Sequence, residues 1–524
     1  MVLFSYFKYK VITPFKNPFL LVCCLIIISG GCNNNPSGTK IKTDYGNSFL
    51  NRSLNDPSDY FYFDFKANDG ISSSLPIGMF DSGTGGLTVL HALVNFDKFN
   101  NSTKEFLPAG DGINDFKTER FIYFGDQANM PYGNYSEVKK TGFLEELVLR
   151  DALFLLGNKY YTTEDDKKYQ TDKETVKLIV IACNTATAYG KDDIEKMLSS
   201  AGSRIRVIGV IDAGVRGALS SFEKDESGTI AVMATAGTVS SNGYLDTFIS
   251  LKEKMGYTGK IEFVQHAGIG IAEAIDEEPN FIIRDAVKTR KNYRGPSLVN
   301  DDLKIRAELM KIYNFDTLKN SLLCDYRNGQ CETMQINSPE NYVRYHLVSL
   351  CERLRTIPEA MPLKTLILGC THYPYLSGYI QTTLKELYNL KINNKYVYRN
   401  VLRDSIILID PAINTATEVY EYLAANELRN SGGDINKSEF FISMPDRTNP
   451  EIRTDSLKWF TYDYKYGRNE NHFYDTRQVP VSRLNTNDEI ISRFQKQIPA
   501  VFDLIRRFNS ENGKTAFLKP EERF

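Results

Sequence analysis

The chain has 524 residues, room for two or more domains at roughly 100–200 residues each. Apolar residues make up 42% and charged residues 24%, a globular balance that excludes global disorder, and eight cysteines are too few for a disulfide scaffold. The 63 basic and 65 acidic side chains leave a formal charge of -2, so no basic excess supports nucleic-acid binding.

The N-terminus departs from this average. Lys8, Lys10 and Lys16 precede an apolar run from Phe19 to Ile28, closed by Ser29-Gly30-Gly31-Cys32. That run is too short for a hydrocarbon core, which needs about 20 helical residues. A basic region, a short apolar stretch and small residues are the layout of a secretory signal. A cysteine directly after two glycines resembles the lipobox of bacterial lipoproteins, where the cysteine is lipidated and becomes the mature N-terminus. Ser29 stands where that motif usually has leucine. The expectation is a signal over 1–32 and an exported protein held on the membrane by lipid at Cys32, on the periplasmic side or in the cell envelope. An uncleaved anchor or an ordinary signal peptide are the alternatives, as is a cytoplasmic protein whose signal is unused. The polar stretch 33–74 reads as a tether, so the globular body is expected to begin near Leu75.

From there apolar runs alternate with amphipathic stretches. Strands are expected at Ile77–Phe80, Phe121–Phe124, Leu178–Ala182, Val207–Val210, Ile230–Ala234, Ile261–Val264, Thr365–Leu368 and Ile406–Ile409. Most are continuously apolar, as in strands buried on both faces of a parallel sheet. Helical periodicity follows several of them, and Val343, Leu347, Leu350, Cys351 and Leu354 share one helical face. This alternation predicts an α/β fold. Two segments share a plan of apolar strand, small residue, cysteine and polar residues: Leu178 to Thr185 around Cys183, and Thr365 to His372 around Cys370. Each cysteine falls at the carboxyl end of a buried strand, where open α/β sheets bind ligands. The segment 279–340 breaks the alternation and reads as an insertion, as do shorter stretches near 95–120 and 157–177. Cys324 and Cys331 flank Asn328-Gly329, a tight-turn signal, and in an exported protein they form a candidate disulfide. After about Ser431 the signals weaken, apart from a helix carrying Ile490, Phe494, Ile498, Val501 and Ile505, bent at Pro499.

Three loops carry chemistry besides the cysteine loops. Asp81-Ser82-Gly83-Thr84-Gly85-Gly86 lies between a strand and a helix and is neither a Walker nor a dinucleotide motif. Its glycines admit a ligand to the backbone, and the Asp81 carboxylate suits an ammonium group, unless it only caps the turn. Asp126 to Gly133 supplies a Pro131-Tyr132-Gly133 turn, and Thr235 to Ser241 is dense in hydroxyls. For the cysteines, zinc is disfavoured because no paired metal-ligand spacing accompanies them. A nucleophile–base pair of Cys183 with His372, two acid–base thiols, or buried structural thiols all stay open.

In this order Phe80-Asp-Ser-Gly-Thr-Gly-Gly-Leu-Thr-Val, Gly125-Asp-Gln-Ala-Asn-Met-Pro-Tyr-Gly, Ala182-Cys-Asn-Thr-Ala, Gly237-Thr and Leu368-Gly-Cys-Thr-His-Tyr-Pro resemble the motifs of bacterial glutamate racemases, from about Leu75 to about Ala425. Related aspartate racemases usually have Glu where this chain has His372. The resemblance implies two pseudo-symmetric parallel-sheet domains with the site in the cleft between them: 75–205, completed by about 405–524, and 206–404, carrying the insertion. It implies a racemase without cofactor or metal. Cys183 takes the Cα proton from D-glutamate and Cys370 from L-glutamate, assisted by Asp81 and His372. Asp81, Ser82, Pro131, Tyr132, Gly133, Asn184, Thr185, Thr238, Thr371 and His372 are the implied substrate contacts. Asp126 matches a further motif acid, while Glu273 aligns poorly and is left aside. The implied partner is glutamate, with the membrane reached through lipid; the oligomeric state stays open. Family members supply D-glutamate for peptidoglycan and are shorter and cytoplasmic. Val210-Ile211-Asp212-Ala213-Gly214 departs from their Glu-Pro-Gly version. A non-catalytic binder of acidic amino acids on the same scaffold, or an aspartate racemase, is the alternative.

Overall fold

The computed structural model of the protein describes residues 48–524, apart from 69, 276, 456–457 and 471–473. The expected signal segment and Cys32 lie outside the described residues. Among the described residues no helix is long and apolar enough to cross a membrane.

Every expected strand forms, and they divide between two sheets. The first sheet runs in the order Thr476–Pro480, Glu439–Pro445, Phe121–Gly125, Ile77–Asp81, Leu178–Ile181, Arg206–Gly209. All its neighbours pair in parallel except the outermost, Thr476–Pro480, which is antiparallel to Glu439–Pro445. The second sheet runs Leu402–Ile409, Leu363–Gly369, Gly228–Ala234, Ile261–Ala267, and is parallel throughout. The protein is therefore an α/β protein with two parallel sheets. Numbered along the chain, the four strands of the second sheet and the first four of the first sheet both read 2-1-3-4, with Ile77–Asp81 and Gly228–Ala234 as the first strands. Glu439–Pro445 adds a fifth parallel strand beside the second in the first half. The inner strands are fully buried, which is why they are apolar without alternation. Helices cover them, among them Pro339–Thr356, whose Val343, Leu347, Leu350, Cys351 and Leu354 are buried as one face.

Several expectations need correction. The stretch from Ser48 to Ser74 is no tether. It opens with a helix, Ser48–Asn55, and buries Phe49, Leu50, Leu54, Phe61, Phe63 and Phe65 in the first core. The Phe49 and Phe61 rings meet edge to face, as do Phe63 and Phe65. These aromatics are scattered among polar residues, so average polarity conceals them. The buried Lys177 also anchors this stretch, donating to Ser73 O at 2.7 Å, Glu119 Oε2 at 2.6 Å and Leu428 O at 2.8 Å.

The domain boundaries move too. Arg206–Gly209 pairs within the first sheet and Leu402–Ile409 within the second, so the chain changes halves near Val210 and Asp410 rather than at 205/206 and 404/405. The expected bent helix is two helices, Asp488–Gln497 and Pro499–Glu511, broken at Ile498 because Pro499 cannot donate into a continuous helix. The weakly patterned C-terminal region contributes the strands Glu439–Pro445 and Thr476–Pro480.

Residues 279–340, expected as an insertion, pack into the second half. Phe281, Ile282, Ile305, Ile312 and Ile336 join the second core. A hairpin forms from Leu322–Arg327 and Gln330–Ile336, with Asn328 and Gly329 both at positive φ in its turn. The Cys324–Cys331 disulfide closes it, and Cys183, Cys351 and Cys370 are free.

Candidate active site

A 2-1-3-4 parallel order reverses direction between strands 1 and 3, and the crevice outside their carboxyl ends is where such sheets take ligands. In the first half those strand ends deliver Asp81 and Cys183. In the second they deliver Thr235 and Cys370. The two cysteines thus occupy equivalent places, each just past the third strand of its half, and each is only 7% exposed.

The loops from the two crevices interlock. A Cβ on Gly85 would lie 3.0 Å from Thr371 Oγ1 and 3.5 Å from His372 Cε1. A Cβ on Gly237 would lie 2.7 Å from Gly133 Cα, so the Tyr132-Gly133 turn and the Gly237-Thr238 turn meet backbone to backbone and position 237 requires glycine. Thr185 and Thr238 hydroxyls approach to 3.4 Å, and the Thr235 hydroxyl donates to Thr238 Oγ1 at 3.0 Å. Beside Cys370 a cavity of about 340 Å³ is lined by Ala182, Asn184, Leu368, Thr371, Val210 and Asp410, among others.

Around Cys183 the environment is set by the helix Asn184–Ser200, which the thiol caps. Its Sγ accepts from Ala186 N at 3.4 Å and donates to Ser82 Oγ at 3.7 Å. Burial pushes this thiol up to about 12, and the Asp81 carboxylate adds to the effect. Asp81 itself is buried. Its Oδ2 accepts from Gly86 N at 2.8 Å and Gly83 N at 3.2 Å, so it does cap the glycine-rich turn. Burial raises its carboxyl above the ordinary range, against the lowering by those N–H groups and by His372 across the cleft. Near Cys370, His372 Nδ1 lies 3.6 Å from the thiol sulfur and 3.5 Å from Thr371 Oγ1.

One expected contact is corrected in kind. The Tyr132 phenol points into the first half, 2.6 Å from both Asp126 Oδ2 and Asp151 Oδ2, so this residue faces the cleft only through backbone. One phenolic proton cannot serve two carboxylates. Burial and the Asp126 charge raise the Asp151 carboxyl well above its ordinary range, and burial raises Asp126 too. Pro131 is exposed beside Tyr132. Ser82, Asn184, Thr185, Thr238, Thr371 and His372 are all drawn to the cleft loops.

Other residues support the site from behind: Tyr123, Lys465 and Arg468 carry no sequence signal of their own, whereas Tyr373 belongs to the Cys370 motif. Tyr123 holds the glycine-rich turn by donating to Gly83 O at 2.7 Å, and Tyr373 donates to Gly268 O at 3.0 Å behind Cys370. From the C-terminal region, Lys465 donates to Met130 O at 2.6 Å. The buried Arg468 donates to Asn129 Oδ1, to Tyr135 at 3.2 Å and to Asp475 at 3.0 Å. These contacts back the Pro131-Tyr132-Gly133 turn. Among the described residues no group of three or more His, Cys, Asp and Glu is arranged to hold a metal ion.

The chain is similar to curated glutamate racemases. It is 32% identical to that of Oceanobacillus iheyensis over 310 residues, 59% of this chain and 72% of the relative. It is 36% identical to that of Chlorobaculum tepidum over 185 residues, 35% of this chain and 51% of the relative, so this match spans about half of that protein's length. Among solved structures, a glutamate racemase isoform of Bacillus anthracis matches at 21% identity and a TM-score of 0.40, over 71% of this chain and 89% of that one. No protein-family model matches the chain.

A buried neutral thiol makes a pH prediction. A raised value keeps Cys183 protonated at neutral pH, so its thiolate fraction is small and grows with every step toward the raised value. In the ligand-free protein, the rate of Cys183 alkylation by iodoacetamide, followed by peptide mass mapping, should rise about tenfold per pH unit between about pH 7 and about pH 10. A rate that levelled off near the ordinary thiol value would contradict the environment described.

Proposed function

This chain belongs to the aspartate/glutamate racemase family, and we propose that it interconverts L- and D-glutamate by moving the Cα proton between two thiols. The observation that carries the reading is the equivalence of Cys183 and Cys370. A parallel order repeated in both halves puts one thiol just past the third strand of each half, beside loops that approach one another at Gly85 and Thr371 and at Gly133 and Gly237. Inverting a stereocentre requires a proton taken from one face and returned to the other. A single base would have to reach both faces, whereas two facing thiols need only small movements.

The chemistry then runs through this chain's own groups. One cysteine, as thiolate, takes the Cα proton. Negative charge passes toward the substrate carboxylate, where preorganised donors stabilise it. The opposite cysteine, as thiol, gives its proton to the other face and is left as thiolate. Asn184, Thr185, Thr238, Thr371 and the backbone at Ser82 and Gly133 are the donors proposed for the two carboxylates, with Asp81 receiving the ammonium. That ammonium offsets the Asp81 charge, which otherwise opposes thiolate at Cys183. On the other side, His372 lies beside Cys370 to accept or return its proton. No pyridoxal phosphate and no metal enters this scheme.

Cys183→Ala and Cys370→Ala should each abolish racemisation, on the order of a thousandfold or more, while L-glutamate still binds. Circular dichroism of the product and calorimetric binding check both statements, with aspartate as the competing substrate. Full activity in either variant would contradict the assignment, faster turnover of aspartate would move the substrate, and binding without turnover in the wild type would favour a binding protein.

We also propose that Cys32 carries lipid and holds the enzyme outside the cytoplasm, from the signal layout ending at Gly31-Cys32. Cys32→Ala should release the protein from the membrane fraction and block signal processing. Unchanged membrane recovery and processing would contradict this.

A further inference from the structure

We infer that Tyr244 is a positioning residue for this reaction: its hydroxyl fixes the side-chain amide of Asn184 so that the amide's donor end is left for the substrate. The inference rests on the racemase reading above and goes beyond it to a residue that never touches substrate.

Asn184 follows Cys183, opens the helix Asn184–Ser200 and lines the cavity beside Cys370, 8% exposed. Its Oδ1 accepts a hydrogen bond from the Tyr244 hydroxyl at 2.7 Å, and Tyr244 is completely buried. Tyr244 lies on the helix Gly243–Lys254 of the second half, so the bond runs between halves. The approach depends on Gly243. A Cβ there would lie 2.7 Å from Ala188 Cβ and 3.3 Å from Ile211 Cδ1, so the two helix starts abut only because position 243 has no side chain.

A primary amide has an acceptor at one end and two donors at the other, and the two ends exchange by a half-turn about one bond. A substrate carboxylate accepts only. An unheld amide therefore presents its oxygen to that carboxylate in one orientation and its N–H groups in the other. Occupying Oδ1 with a buried phenol selects the second orientation before substrate arrives, which is preorganisation at the atoms that receive charge. Phenylalanine would fill the same space, so the hydroxyl is what the cleft gains from tyrosine.

The test is steady-state kinetics of the full chain with L- and D-glutamate for Tyr244→Phe, Asn184→Ala and the double variant, with melting temperatures to compare folding. Tyr244→Phe should raise KM about five- to tenfold and change kcat less, the scale of one net hydrogen bond. The double variant should be no worse than Asn184→Ala alone, because Tyr244 acts only through Asn184. Asn184→Asp keeps the bond to Tyr244 but replaces the donors with a charge, so it should bind glutamate more weakly than Asn184→Ala. An unmoved KM in Tyr244→Phe, losses that multiply in the double variant, or wild-type affinity in Asn184→Asp would overturn the inference. If Tyr244→Phe does not fold, the Asn184→Asp comparison decides it alone. A wild type inert toward both glutamate and aspartate would overturn the proposed function and this inference with it; an active wild type with any of the contrary results overturns the inference alone.

Discussion

The constraint on which the site depends is the reversal of strand order between strands 1 and 3 of a parallel sheet. Once the second strand lies on one side of the first and the third on the other, the connections leave in opposite directions and an open crevice remains at their carboxyl ends. This chain meets that constraint twice, with the same 2-1-3-4 order. Whatever follows the first and third strands is thereby delivered to a crevice, and in both halves a cysteine follows the third. The rest of the site is built on those four strand ends: the glycine-rich turn after Asp81, the helix capped by Cys183, the hydroxyl loop after Thr235 and the Thr371-His372 pair after Cys370.

Bringing the two crevices together imposes its own chemistry. The loops that meet are made of glycines and small hydroxyl residues, because the backbone at Gly237 approaches that of Gly133 so closely that a side chain on Gly237 would hold the halves apart. The same close approach removes water from the thiols. For Cys183, burial favours the neutral form and the neighbouring Asp81 charge favours it further, against the N–H of Ala186. In the ligand-free protein both effects therefore oppose the thiolate, and in the proposed reaction the substrate ammonium at Asp81 would offset one of them. On this account substrate binding and thiol activation are one electrostatic event.

Much of this was legible in the chain because buried parallel strands write themselves as continuous apolar runs, and the loops at their ends carry unusual polar residues at short spacing. Asp81, Cys183, Thr238, Cys370 and His372 were visible for that reason, and the Asn328-Gly329 turn announced its hairpin. What stayed hidden acts over long sequence separation. Phe49, Phe61, Phe63 and Phe65 sit in a polar stretch with no period, yet pack into the first core. Glu439–Pro445 and Thr476–Pro480 complete a sheet whose other strands lie more than 200 residues earlier in the chain. The phenol of Tyr132 points away from the cleft that its motif implies, because two carboxylates in the first half hold it. Tyr244 and Arg468 are single residues whose partners are set by topology alone.

The central claim is that two thiols, one on each face of Cα, share the proton transfer. Turnover of L-glutamate in heavy water, stopped early and read by proton resonance and mass at Cα, tests it most directly. The D-glutamate formed should carry solvent deuterium at Cα while the remaining L-glutamate keeps its hydrogen, because the proton returned comes from the opposite, solvent-equilibrated cysteine. D-glutamate that retained the original hydrogen would mean that one base serves both faces, and would contradict the account.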